Sequence, residues 1–275
     1  MLSSSPVSNI KLEFSRDEPL IGFLHGTNVC HTFPLHIHHS YILGILTGGK
    51  RIIHVDDRYV NLAAPDCFII HPFQPHSCQK PDREGHDYRV VSIPSRVMRE
   101  ANFSATGRYE LPAFPTMRIE DQAIACRLLE FIEIQEGRKN RVRPVLHGLL
   151  IDVIQRYANP EPLNLPDLST SSYIGQVCKY LEKNAGQSIA LNELSRQVNI
   201  NQFHLNRSFR ERVGIPPHAY LIQTRIRQSL QLLIQGESIC EVAYRLGFSD
   251  QSHFTRIFKE YVGISPGRFL GMNRT

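Results

Sequence analysis

The sequence predicts a two-domain α+β protein, in which a β-rich domain with trailing helices precedes an all-α domain. Short β-rich runs lie before residue 80, a proline-rich segment lies near residue 160, and a short sequence motif near the C-terminus occurs twice. The chain has 275 residues, of which 41% are hydrophobic, and this is enough for two modest cores. We therefore expect two domains and a linker.

The sequence of the N-terminal part predicts a small all-β barrel or sandwich. The runs "YILGILTGG", "RIIHVDD" and "CFIIHPF" are rich in residues that favour β-strands. Gly-Gly, Asp-Asp and Pro interrupt them at close spacing. Residues 120–137 and 144–158 then show helical periodicity. The apolar positions on these two helices are Ile124, Leu128, Phe131 and Ile132 on the first, and Leu146, Leu149, Leu150 and Val153 on the second.

Composition separates the two domains. Residues 159–172, "NPEPLNLPDLSTSS", hold three prolines and a Ser/Thr run, so that we predict a linker there between domains at 1–158 and 173–275. Residues 1–170 carry 18 basic and 19 acidic side chains, whereas residues 171–275 carry 13 basic and 7 acidic ones. The basic excess lies in the last third, which indicates a polyanionic partner for that domain.

The C-terminal domain contains a duplicated unit. "VNINQFHLNRSFRERVGIPP" and "LGFSDQSHFTRIFKEYVGISP" match at an offset of about fifty residues, and each ends in Gly-Ile-x-Pro. Each copy predicts a short helix, a turn and a second helix. The matched positions are Arg207, Phe209, Glu211, Val213, Gly214, Ile215 and Pro217, which recur as Arg256, Phe258, Glu260, Val262, Gly263, Ile264 and Pro266.

Local signals support helices in both copies. Ser238 and Glu241 have the spacing of a capping box, and Gly214 and Gly263 suit helix ends. Between the copies one long helix is predicted, which stops at Gly236. Its apolar positions are Ile222, Ile226, Leu230 and Leu233, and the core positions of the copies are Leu205, Phe209, Phe254 and Phe258.

From about Tyr173 to Phe269 the sequence resembles the AraC/XylS family of bacterial transcription regulators. The resemblance is carried by A-x-x-L-G-F at Ala243 to Phe248, S-x-F-x-R-x-F-K at Ser252 to Lys259, and G-x-S-P at Gly263 to Pro266. It implies two helix-turn-helix units on one connecting helix, which bind double-stranded DNA in two blocks about one helical turn, ~34 Å, apart. It also implies a cupin-like N-terminal barrel for a small effector, trailing helices that form a homodimer, and RNA polymerase as a partner of an activator.

The second helix of each unit supplies the candidate DNA contacts. Phe203, Asn206 and Arg207 share one helix face, where Arg207 suits guanine, Asn206 suits adenine or phosphate, and Phe203 suits a thymine methyl. The second copy presents Gln251, Ser252, Thr255 and Arg256. Arg210, Arg212, Lys259 and Arg268 suit phosphates. The alternative for Arg207 and Arg256 is a structural ion pair with a nearby glutamate.

Histidines mark the candidate effector site. Nine of the 13 histidines precede residue 90, and "HIHHSY" and "HPFQPHS" resemble the two cupin motifs. His36, His38 and His76 can converge from two strands and hold a divalent metal, line a ligand pocket, or serve as packed histidines. The acidic ligand of cupin enzymes is missing from Ser40 to Leu43. Alternation along the strands adds Tyr41 and His71 to the pocket.

Three functional classes follow from these observations. The first is a ligand-responsive DNA-binding regulator without enzymatic activity, the second a metal-dependent cupin enzyme fused to a DNA-binding domain, and the third a regulator controlled by dimerisation or protein partners. Cysteines without C-x-x-C pairs, no signal peptide and no long apolar run predict reduced thiols, a cytoplasmic protein and no membrane partner. No cofactor besides the divalent metal is expected.

Overall fold

A computed structural model describes residues 8–14, 21–79, 85–136 and 142–273. Its contacts divide the chain into two compact units. The first comprises residues 1–31, 38–74 and 78–165, and the second comprises residues 166–275 together with the short segments 32–37 and 75–77.

The β-rich part of the chain has ten strands among the described residues. They are β1 (Asn9–Phe14), β2 (Gly22–Val29), β3 (Phe33–His36), β4 (Tyr41–Gly48), β5 (Lys50–Val55), β6 (Arg58–Ala63), β7 (Cys67–Ile70), β8 (His76–Gln79), β9 (His86–Ile93) and β10 (Arg118–Ile119). One sheet has the order β1-β2-β9-β4-β7-β10 and the other the order β3-β8-β5-β6. The three β-rich runs of the sequence are β4, β5 and β7.

Turn chemistry fixes the register of the β5–β6 hairpin. Asp56 and Asp57 both have positive φ, 47° and 57°, which is the backbone of the two-residue turns that match strand twist. The strands pair from Lys50 with Ala63 to Val55 with Arg58. On β5 this leaves Arg51, buried, on the same side as the buried apolar positions of the strand.

Three helices complete the first unit: α1 (Ser95–Thr106), α2 (Gln122–Glu136) and α3 (Val142–Tyr157). The predicted apolar positions of α2 and α3 are all buried, and they pack with alternate residues of β2, β4 and β9 in one core. Phe23 of β2 contacts Phe131 of α2, for example, with ring centroids 5.7 Å apart. The helical periodicity of the sequence predicted α2 and α3 but not α1. Gly137, the last residue of the predicted first helix, lies outside the described residues.

Residues 173–273 are helical, as predicted. The helices are α4 (Tyr173–Lys183), α5 (Leu191–Gln197), α6 (Gln202–Val213), α7 (Pro217–Ile234), α8 (Ile239–Arg245), α9 (Gln251–Val262) and α10 (Pro266–Asn273). The pairs α5–α6 and α8–α9 are the two copies of the repeat, and α7 is the connecting helix. The fold class predicted from the sequence is therefore confirmed, with α4 and α10 as additional helices.

Local sequence explains the bounds of these helices. Ser238 and Glu241 form the capping box before α8. Gly214 and Gly263 end α6 and α9 with φ of 90° and 88°, a left-handed backbone that glycine adopts without strain. None of the described helices is both long and apolar enough to cross a lipid bilayer.

Candidate DNA interface and effector site

Helix α6 is held from one side and exposed on the other. Its N-terminus is capped by Asn201, whose side-chain oxygen accepts a hydrogen bond from the N–H of Phe203 at 2.9 Å. Leu205 and Phe209 are fully buried and fix the helix on the domain core. The cap and the core residues thus leave one face of α6 open to solvent.

The candidate DNA contacts of the first copy lie on that open face. Phe203 is 78% exposed. Asn206, Arg207 and Arg210 are exposed as well. Arg207 Nε donates a hydrogen bond to Glu211 Oε1 at 2.8 Å, which is an ion pair with a nearby glutamate; its contact with DNA stays a prediction. Because an exposed ion pair four residues apart is weak, Arg207 can exchange Glu211 for a base edge.

Helix α9 repeats this design. The Asp250 carboxylate caps it by accepting the N–H of His253 at 2.8 Å, and this bond holds the pKa of Asp250 below its ordinary value. Phe254 and Phe258 are buried and in contact, with centroids 5.5 Å apart. The candidate contacts Gln251, Ser252, Arg256 and Lys259 are exposed, and Thr255 is half-buried. Both helices therefore present a capped N-terminus and an exposed polar face.

The three candidate metal ligands lie close together. The nearest ring nitrogens of His36, His38 and His76 are all within 4.8 Å of one another. His36 and His76 face each other at 4.2 Å between ring centroids, on the paired strands β3 and β8. His76 is 1% exposed, and the other two are half-buried. Three imidazoles at this separation suit a divalent ion such as Zn²⁺.

The tautomer of His36 also fits a ligand role. Its Nδ1 lies 2.8 Å from the carbonyl oxygen of Pro34, and since a carbonyl only accepts, Nδ1 carries the proton. Nε2 is then the ring nitrogen with a lone pair for a ligand. Within the described residues the cluster that could hold a metal ion consists of these three histidines.

Tyr41 and His71 form a separate polar pair within the first unit. The Tyr41 hydroxyl donates to the Pro112 carbonyl at 2.8 Å, and Tyr41 belongs to the core beneath the helices. His71 Nε2 accepts the N–H of Phe114 at 2.9 Å, while its ring stacks on the Phe114 ring. Burial raises the pKa of Tyr41 and lowers that of His71 to about 4, so both are neutral at neutral pH. Their place in the effector pocket stays a prediction.

A second buried polar cluster was not found from the sequence. Arg51 of β5 lies over the ring of Tyr88 of β9, with the guanidinium carbon 4.6 Å from the centroid. Burial by itself lowers the pKa of Arg51, but interactions with Cys78 and Tyr88 outweigh it and raise the pKa. Burial raises the pKa of Tyr88 to about 12, and His86 stacks on the same ring. The signal that could have located Arg51 is its alternation with two apolar residues in "RIIHV".

Two glycines of the strands pack closely against aromatic rings. A methyl group at Gly26 would collide with the Tyr88 ring, and one at Gly44 would collide with the Phe68 ring. Glycine is therefore required at both positions for the two aromatic rings to lie flat against the sheet. The buried polar cluster is held in a fixed geometry by the strands around it.

Two protein families match parts of the chain. Residues 24–151 match the AraC-like ligand binding domain, and residues 194–272 match a helix-turn-helix domain. Among curated proteins, an uncharacterized HTH-type transcriptional regulator, YbfI of Bacillus subtilis, is 31% identical over 80% of this chain and 81% of its own length. The Msm operon regulatory protein of Streptococcus mutans is 24% identical over 89% of this chain and 90% of its own length.

Solved structures show the same fold. An apo variant of ToxT from Vibrio cholerae aligns with a TM-score of 0.61 over 98% of both chains, at 13% identity. Wild-type ToxT from Vibrio cholerae bound to an unsaturated fatty acid aligns with a TM-score of 0.58 over 97% of this chain and 95% of its own, at 15% identity. At these identities the likeness concerns the fold.

Proposed function

Since this chain belongs to the AraC family of DNA-binding transcriptional regulators, with an N-terminal ligand-binding domain, we propose that its helix-turn-helix units read two DNA blocks about one helical turn apart. A small effector in the β-rich domain controls this binding. The observation that carries the proposal is the shared construction of α6 and α9, each with a polar cap, a buried aromatic core and an exposed polar face.

Each exposed side chain then has a defined task. Arg207 and Arg256 donate to base acceptors in successive major grooves, and Asn206 and Gln251 read neighbouring bases. Arg210 and Lys259 neutralise phosphates, and this term gives affinity without sequence information. The excess of basic side chains in residues 171–275 supports this division of labour.

The effector binds at polar side chains of the β-rich part of the chain. We place it at His36, His38 and His76, where a divalent ion is the second candidate occupant. Unsaturated fatty acid binding is a property of ToxT. In this chain the three imidazoles favour an effector with polar groups over a purely apolar one.

The remaining partners follow from the family. We propose that α2 and α3 contribute to a homodimer in the cytoplasm, that RNA polymerase is a partner when the protein activates transcription, and that the chain catalyses no reaction. Effector binding alters DNA affinity only by as much as its affinity differs between the two DNA-binding states.

The test is selection of bound duplexes from a random DNA pool by the full chain. Two conserved blocks about one turn apart are expected, and the double variant Arg207→Ala/Arg256→Ala should enrich neither. Recovery of unrelated sequences by both proteins would refute sequence-specific reading. Native mass spectrometry of the full chain with Zn²⁺ then tests the histidine cluster. Loss of one bound ion in His76→Gln supports a metal, whereas equal metal content in both proteins rejects it.

A further inference from the structure

Arg225 of the connecting helix α7 is buried, and its guanidinium donates hydrogen bonds to three backbone carbonyls. It is 7% exposed. Its Nε donates to Ala185 O at 2.7 Å, its Nη2 to Gln187 O at 2.8 Å, and its Nη1 to Gly247 O at 3.1 Å. The planar guanidinium thus uses its fork of donors to hold two separate stretches of chain.

Those two stretches belong to different helix-turn-helix units. Residues 185–187 lie between α4 and α5 and precede the first helix-turn-helix unit. Gly247 lies in the turn between α8 and α9 of the second helix-turn-helix unit. The two backbones touch: a methyl group at Gly247 would overlap the Gly186 carbonyl, and one at Gly186 would overlap the Arg245 carbonyl. Gly247 also has a φ of +69°, so that glycine is required there for two reasons.

The contact continues into the second reading helix. The Arg225 guanidinium carbon lies 5.5 Å from the centroid of Phe248, and Phe248 contacts Phe254 of α9 at 5.1 Å. Burial lowers the pKa of Arg225, because the charge is removed from water. Such a charge is tolerated where several charge-assisted hydrogen bonds compensate it, and these bonds are stronger than neutral ones.

We propose that Arg225 is a positioning residue that fixes α9 relative to α6 and thereby sets the spacing of the two DNA blocks that the protein accepts. The inference rests on the proposed function, because spacing matters only when both helices read DNA. One base pair rotates B-DNA by about 34° and advances it by ~3.4 Å, so that a rigid connection should reject even a single insertion. A loosened connection should tolerate it.

The experiment uses the full chain, the two-block duplex that wild-type protein selects, and versions with one base pair inserted or deleted between the blocks. For wild type, each change should weaken binding by about tenfold or more. In Arg225→Met, binding to the selected duplex should weaken by about tenfold, while the penalty for an insertion or deletion should fall to about twofold. Arg225→Lys, which keeps the charge but loses the fork, should lie between the two.

Two controls separate positioning from a general loss of structure. A duplex with a single block should bind wild type and Arg225→Met within about twofold of each other, because neither reading helix is changed. Arg227→Met removes the same charge two residues further along α7, from a half-exposed arginine 3.3 Å from Glu182, and should keep the wild-type spacing penalty.

The outcomes are distinct from those of the proposed function. If wild type selects no DNA or only one block, the proposed two-block reading fails, and Arg225 has no spacing to set. If wild type selects two blocks and the lysine and methionine variants keep its spacing penalty, the inference about Arg225 is wrong. Loss of cooperative thermal unfolding in both variants would also overturn it, because Arg225 would then serve core stability alone.

Discussion

The half-buried histidine His71 predicts a stability that depends on pH. Its pKa is lowered from the ordinary 6.5 to about 4 by burial, and its Nε2 accepts the Phe114 N–H. A histidine kept neutral by the fold takes up protons only in the unfolded state between these two values, so that stability falls as pH falls from about 6.5 to about 4. With these pKa values the loss at pH 5, relative to pH 8, is about 2 kcal/mol.

The assay is differential scanning calorimetry of wild type and His71→Gln from pH 8 to pH 5. Glutamine retains an acceptor for Phe114 but does not titrate, so the stability difference between the two proteins at pH 8 should shrink or reverse by pH 5. His204→Gln, at an exposed position of α6, is the matched control and should follow wild type. Hydrogen exchange at the Phe114 amide reports the same bond directly. Parallel pH profiles for wild type and His71→Gln would refute the reasoning.

Three further predictions concern single side chains. Arg207→Ala and Arg256→Ala should each weaken binding to the selected duplex by roughly 5- to 150-fold and relax preference at one base step, as measured by competition with single-base variants. Unfolding of the domain by Arg256→Ala would instead favour its structural ion pair. Lys259→Ala should weaken all sequences alike and reduce the slope of log Kd against log salt by about 1, and a sequence-dependent loss would contradict a phosphate contact. The pKa of Asp121 is lowered to about 2, chiefly by the hydrogen bond from the backbone N–H of Ile124. Asp121→Asn should therefore lower the Tm at pH 7, and the Tm values of variant and wild type should converge as pH falls from about 4 towards 2. A Tm difference that stays constant over this range would contradict the prediction.

The sequence was informative about some residues of the candidate effector site and not about others. The three imidazoles of His36, His38 and His76 were predicted to meet, and they do. Strand alternation does not explain this, because β3 ends at His36 and His38 lies beyond it. Alternation is uninformative for Tyr41, since the first six residues of β4 are all buried. The sequence therefore could not distinguish the side of the sheet beneath the helices from the opposite side.

The amino-acid sequence by itself determined the duplicated helix pairs, their caps and glycine ends, the connecting helix and the exposed polar faces of α6 and α9. These features depend on interactions within a few residues, which periodicity and capping chemistry express. Only the tertiary structure decided what Arg225 does: in the sequence it is one more basic residue in a helix that ends at Ile234. Its three acceptors are backbone carbonyls 22 to 40 residues away, and a backbone carbonyl has no sequence signature.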